Sequence, residues 1–267
     1  MLIRHIMNEY IHLNIFNTAL AAGFILLAGI ASFVLRLRIE KALAIGMLRT
    51  AVQLGLAGIA IGFVFGLKSI IWVLLLTAVM VLFAGREAVA RSKNRLSGSG
   101  LDAILAMTLS SFVVAVTVTG VIIGADPWWT PRVFIPIMGM ILGNSLVGIS
   151  LALDRFINGC IENRTAIEAR LTLGASANEA VLPVVRDAIR IGMMPSINAM
   201  NIVGVVSLPG MMTGQLLAGA DPHDAVLYQI IVMYMLVAAT AAGSIIAVLM
   251  TRKRVFTKDV ALRMDLK

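Results

Sequence analysis

Few residues in this chain have the type and spacing to do chemistry, and most of those lie in apolar surroundings. Sixteen methionines include the close pairs Met138 and Met140, Met193 and Met194, and Met211 and Met212. Thioethers are soft ligands that suit copper(I) better than harder iron or magnesium, and they are also adaptable packing groups. Near the N-terminus His5, Glu9 and His12 stand at i, i+4 and i+7, on one stripe if the segment is helical. Such a stripe is either a weak divalent-metal site or an interfacial polar face at a chain end. Asp221, His223 and Asp224 cluster in ADPHD, where Pro222 reads as a helix boundary; they would be the candidate site of a membrane enzyme. No GxxxxGK(S/T) pattern occurs, so the chain does not hydrolyse nucleotide itself, and neither HExxH nor GxSxG is present.

Polar groups inside apolar runs form a second set, because each costs free energy in a bilayer unless it finds a partner or a watery path. Arg49 and Gln53 stand four apart in RTAVQL and share a helical face. Arg49 lies about two turns, or roughly 10 Å at 1.5 Å per residue, from the charged end of its run. It either snorkels, pairs structurally or lines a transport pathway. Asn144 and Ser145, with Asn198 and Asn201, either hydrogen-bond between helices or line a cavity. Together with Arg49, Gln53, Met211 and Met212 they are the pathway candidates. Glycines recur at helix-packing spacing: Gly58, Gly62 and Gly66, then Gly139 and Gly143, then Gly210 and Gly214. These faces let backbones approach, within one chain or across a homodimer.

What must position these groups is a membrane bundle. Of 267 residues 60% are hydrophobic and 13% charged, with a mean hydropathy of +0.96; the surface of a soluble core this size needs more charge. Length and breaker residues predict an all-α integral membrane protein with seven spans, at 14–35, 42–67, 69–84, 101–124, 133–153, 191–217 and 225–250. The first run is too long for a signal-peptide core and lacks a convincing cleavage site, so it reads as a retained anchor. No internal repeat supports an inverted-repeat carrier.

Charge sets the expected orientation. Of the 22 Lys and Arg, 18 fall on one side of this arrangement, Arg4, Lys68 and Arg132 on the other, and Arg49 within a span. The positive-inside rule predicts an outer N-terminus and a cytoplasmic C-terminus, with Trp128 and Trp129 at the outer interface of a bacterial inner membrane. The net charge of +8 does not point to nucleic acid, because the basic residues punctuate apolar runs instead of covering one solvated face. Cys160 is the sole cysteine, a passive thiol kept reduced on the cytoplasmic side. The expectation is one transmembrane domain, 1–267, with a cytoplasmic region at 154–190 and a cytoplasmic tail at 251–267.

The region at 154–190 is long enough for two short helices. Ile167, Leu171 and Leu173 precede Gly174, and Ala177, Ala180, Val181 and Val184 resume with helical spacing. Gly174 can adopt the positive φ that ends one helix, and Ser176 can cap the next. A helical hairpin below a membrane domain is a lever: a partner pushing on it moves the span that follows.

The stretch EARLTLGAS, residues 168–176, resembles the cytoplasmic EAA-type loop of ABC transporter permeases, which inserts into a cleft on the ATP-hydrolysing subunit. Glu168, Ala169 and Gly174 occupy that family's spacing. Arg170 stands where a second alanine is usual and Leu182-Pro183 comes early, departures that favour an exporter-like branch. Over 135–247, IPIMGMILGNSLVGISLALDRF, RDAIRIGMMPSINAMNIVGVVSLPGMMTGQLLAGADP and AVLYQIIVMYMLVAATAAGSIIA are similar to the FetB (YbbM-like) permease family, which is related to the plant aluminium-sensitivity permeases. Similarity is weaker at RTAVQL and absent at both termini.

That resemblance implies the membrane subunit of a small ABC exporter, a homodimer partnered by a separate cytoplasmic ATPase that holds ATP and Mg2+. It implies iron export and metal homeostasis, with another metal or a nucleotide sugar as the alternative cargo. Glu168, Arg170, Leu173, Gly174, Ala175 and Ser176 are then the ATPase-coupling residues. The spans offer no carboxylate or histidine cage for iron, which speaks against a bare Fe2+ or Fe3+ ion. Two rivals stand beside this reading: a secondary carrier or channel that needs no ATPase, and the membrane enzyme.

Overall fold

The computed structural model describes residues 14–67, 69–90, 98–257 and 262; His5, Glu9, His12 and most of the tail beyond 257 lie outside the described residues. Every regular element among them is helical, and the only extended pairings are isolated bridges, Val203 with Ser207 and Phe256 with Leu262. In chain order the helices are α1 (Ile15–Val34), α2 (Glu40–Leu67), α3 (Ile70–Ala90), α4 (Ser99–Val116, running into a π-helical turn at Thr117–Ile122), α5 (Pro131–Glu162), α6 (Arg164–Thr172), α7 (Ala177–Ile202), α8 (Gly210–Leu217) and α9 (Pro222–Val255). Six of these, α1 to α5 and α9, are long and apolar enough to cross a membrane. Helices pair their own backbone groups, as a lipid surrounding requires.

The described residues divide into two compact units, one holding α1 and α2 with Leu217–Gly219, the other holding the rest. In the first, α1 turns tightly into α2. Ser32, buried, donates its hydroxyl to Glu40 Oε1 at 2.9 Å and accepts from the Ile39 N–H at 3.3 Å. Arg36 and Arg38 carry the turn in left-handed backbone, at φ 54° and 59°. Large apolar side chains such as Phe24, Phe33 and Ile59 stay exposed, the arrangement of helices solvated by lipid.

The second unit is built around α5 and α9, which pack against each other and against α4 and α7. Glycine sets the closest approaches. A Cβ on Gly148 would meet the Thr240 side chain and lie 2.9 Å from Gly192 O, and one on Gly192 would lie 2.7 Å from Gly148 O and from Ala152 Cβ. These glycines differ from those that spacing singles out. Gly58, Gly62, Gly66, Gly143, Gly210 and Gly214 face open space, and Gly139 only touches Met80 Cε at 3.4 Å. Spacing marks faces that tolerate approach; the fold selects which of them meet a neighbour.

The apolar run at 191–217 is present but is not one helix. Its first part is the end of α7, which begins at Ala177 and passes the charged 186–190 stretch without a break. Residues 203–209 are irregular, and α8 follows with eight residues, about 12 Å at 1.5 Å per residue and too short to span. The break has local causes: Gly204 sits at φ 84°, and Pro209 has no N–H and disfavours helix at Leu208.

Candidate functional site

The hairpin between α6 and α7 forms from its own sequence. Gly174, at φ 92°, ends α6: its N–H donates to Leu171 O and the Ala175 N–H donates to Arg170 O, both at 3.0 Å. This is the paired closure of a Schellman motif, which satisfies carbonyls the helix end would otherwise leave open. Ser176 then opens α7 with a reciprocal cap. Its hydroxyl accepts from the Glu179 N–H at 3.4 Å, and the Glu179 carboxylate accepts from Ser176 N–H at 2.8 Å and Oγ at 2.7 Å. Those hydrogen bonds hold the Glu179 carboxyl below its ordinary range, the side-chain bond contributing most.

Two further contacts fix the hairpin's shape. Arg170 reaches across it, Nη1 donating to Ala180 O at 3.0 Å, and Arg164 pairs with Glu168 along α6 at 2.8 Å. Arg170 and Glu168 thereby brace the hairpin while both stay exposed. Leu173 points outward at 87% exposure, beside the exposed Gly174 and Ser176 and the half-buried Ala175. Beneath them Ile167 is fully buried in a cluster with Phe156, Ile157, Cys160, Val181 and Val184. Arg155 bridges α5 to α7 through Asp187 at 2.6 Å and also holds Glu162 at 3.2 Å. A largely polar cleft of about 300 Å³ lies between these groups, lined by Arg155, Asn163, Arg170 and Asp187 among others. The hairpin therefore presents one apolar tip on a rigid base, and α7 carries that base onward for 26 residues, about 39 Å.

At its far end α7 reaches the helix break, where a cavity of about 410 Å³, open to the surface, is lined by Met200, Val203, Gly204, Met212, Gln229 and Met233, with the exposed Leu208, Val226, Ile230 and Tyr234 at its rim. Gln229 is 5% exposed and its Oε1 has no hydrogen-bond partner among the described residues. Of the pathway candidates, Met212 lines this cavity; Met211, next to it on α8, does not. Asn144 is exposed on α5, its Nδ2 donating to Met140 O at 3.0 Å. Ser145, one residue on, is fully buried in the bundle. Asn198 and Asn201 are exposed on α7, and Arg49 and Gln53 are exposed one turn apart on α2. The structure thus distributes these polar groups over several faces. In the ADPHD turn, Asp221 Oδ1 accepts from the His223 N–H at 2.8 Å, capping α9.

A family model matches residues 15–256, nearly all of this architecture. The chain belongs to the Uncharacterised protein family (UPF0014). Among curated relatives, the UPF0014 membrane protein slr1647 of Synechocystis is 37% identical over 74% of this chain and 76% of its own. The Probable iron export permease protein FetB of Escherichia coli is 31% identical over 90% of this chain and 91% of its own. Protein ALUMINUM SENSITIVE 3 of Arabidopsis thaliana is 30% identical over 96% and 94%. No solved structure matches. With six helices long and apolar enough to cross a membrane, this UPF0014 member is a multi-pass membrane protein.

One pair in this UPF0014 member escaped the sequence reading. Asp102, 1% exposed near the start of α4, accepts two hydrogen bonds from the Arg254 guanidinium of α9, from Nε at 2.6 Å and Nη2 at 2.8 Å, and one from Thr251 Oγ1 at 3.4 Å. Gly98 leaves room for it, since a Cβ there would collide with Arg254. A carboxylate four residues into an apolar helix was the available signal, because such a charge must have a partner. Its partner lies 152 positions away and could not be read from spacing.

Proposed function

We propose that this chain is the membrane-spanning subunit of an ABC exporter for iron or another metal species, driven by a separate cytoplasmic ATPase that binds ATP and Mg2+. The observation that carries this reading is Leu173, an apolar tip left exposed on a hairpin held by a helix-end closure, a capping box and the Arg170 contact. An exposed leucine on a braced turn is the form of a docking knob, and α7, one helix continuous through Pro183 and Pro195, connects that knob to the cavity at its other end. The relative named as a probable iron export permease supports the cargo class. In this reading the hairpin is cytoplasmic, the N-terminus is outside, the membrane is the bacterial inner membrane, and two copies of the chain pair with two ATPase subunits. Nucleotide-driven closure of the ATPases moves the hairpins and changes which side the cavity faces. An ATPase shifts such an equilibrium only by contacting the two states differently, so the hairpin must transmit force without bending.

The test is Gly174→Glu in the full complex. Space around Gly174 is open, so the substitution meets only backbone strain and brings a charge to the docking face. ATPase stimulation by the permease should be lost while the chain still assembles in the membrane. Unchanged stimulation, or transport by the chain alone in vesicles without nucleotide, would refute the reading.

A further inference from the structure

We propose that the cavity at the α7–α8 break is a binding site for an uncharged, largely apolar molecule that donates a hydrogen bond to Gln229. Three observations carry this. First, backbone without helical structure at membrane depth is tolerated where it is buried in protein or lines a cavity, and Val203, Gly204 and Leu208 of the irregular segment do line one. Second, Gln229 sits on the cavity wall about 10 Å along α9 from its start, at 1.5 Å per residue. Its carbonyl oxygen is buried and has no partner among the described residues. A buried amide oxygen left unpaired is costly, and a turn of the terminal amide about its soft last torsion brings that oxygen to the cavity, where a donor on a bound molecule removes the cost. Third, none of the ten wall residues carries a charge.

The walls also set the size and character of the occupant. About 410 Å³ lies in the range of small-molecule sites and is far larger than a single metal ion needs. Three methionines reach it from three helices, Met200 from α7, Met212 from α8 and Met233 from α9, giving a soft wall that adapts to varied apolar shapes. A bare hard cation entering here would lose its water and find one amide oxygen, which is a poor exchange. A metal could pass only inside a neutral complex with an apolar exterior. In naming the carried species this deepens the proposed function and rests on it; as a binding site it stands on the cavity alone.

The experiment uses the full chain in phosphatidylcholine nanodiscs with 4-benzoylbenzamide, an uncharged photolabel with amide N–H donors, and its N,N-dimethyl analogue, which lacks them. Labelling by the first should saturate and map to residues 200–212 and 226–234. Half-saturation should need about tenfold more of the dimethyl analogue, and about tenfold more of the parent in Gln229→Leu, each equal to about 1.4 kcal/mol. Gln229→Leu should keep or raise the melting temperature, because it removes an unpaired acceptor. Met212→Trp, which fills the cavity, should abolish the labelling. The proposal fails if labelling does not saturate, as for a lipid-filled groove, or maps elsewhere. It also fails if Gln229→Leu and Met212→Trp label like the wild type, or if ferrous or silver salts compete. None of these failures touches ATPase coupling, and a failure of Gly174→Glu to uncouple leaves the labelling result standing.

Discussion

Truncating Leu173 separates docking from folding. The side chain is 87% exposed, so Leu173→Ala removes little intrachain contact, and chain stability should change by no more than about 0.5 kcal/mol. If the tip is buried on the ATPase, the variant loses the transfer free energy of about three carbon groups at roughly 0.8 kcal/mol each. Scaled by the exposed fraction, that is about 2 kcal/mol, or about a 30-fold rise in Kd. The assay is calorimetric titration of the partner ATP-binding-cassette subunit into the chain in nanodiscs, with thermal unfolding run on the same samples. Ile167→Ala is the control in the opposite sense. Ile167 is fully buried under the hairpin, and its truncation should cost about 2–5 kcal/mol of stability. An unchanged Kd for Leu173→Ala, within about threefold of wild type, would remove the tip from the interface and with it the docking argument. A large loss of thermal stability in that variant would refute the structural premise that the tip is unpartnered.

The remaining predictions concern the frame. Arg254→Ala should destabilise more than Asp102→Ala, because it strands a buried carboxylate whereas Arg254 alone can still reach water. With the guanidinium partly exposed at 38%, we expect about 2–3 kcal/mol for Arg254→Ala and about half that for Asp102→Ala, with the double variant closer to the latter. Denaturant titrations in one detergent would read this, and the reverse order would contradict the buried-pair geometry. Gly192→Leu should block folding or assembly, since even a Cβ there comes within 2.7 Å of Gly148 O, whereas Gly62→Leu, facing open space, should leave the monomer's stability unchanged; membrane yield and melting temperature distinguish the two. Because the folded-state pKa of Glu179 is the lowered one, its cap contributes fully above the ordinary glutamate range of about 4.3. That contribution fades as pH falls through the lower folded value. The melting-temperature gap between wild type and Glu179→Gln should therefore be constant above about pH 5 and shrink below about pH 4, and a gap that grows on acidification would overturn the cap.

The sequence determined features whose causes are local. Apolar composition and run length required a helical membrane protein, since only internally paired backbone survives in lipid. Gly174 and Ser176 fixed the end of α6 and the start of α7, because a positive φ and a side-chain cap are set within a few residues. Tertiary structure decided what distance in sequence conceals. It laid Arg170 back onto α7 as a brace and left Leu173 outward as the tip, a distinction that helical spacing alone does not make. It chose Gly148 and Gly192 over the more regular glycine stripes as the points of close approach. Asp102 found Arg254 only after α4 and α9 had packed. Most consequential for function, it split an apolar run that reads as a span into α7, an irregular segment and α8, and thereby gathered Met200, Met212, Gln229 and Met233 around one cavity. Hydropathy measures how apolar a segment is, and a cavity depends on where several segments end, which only their packing sets.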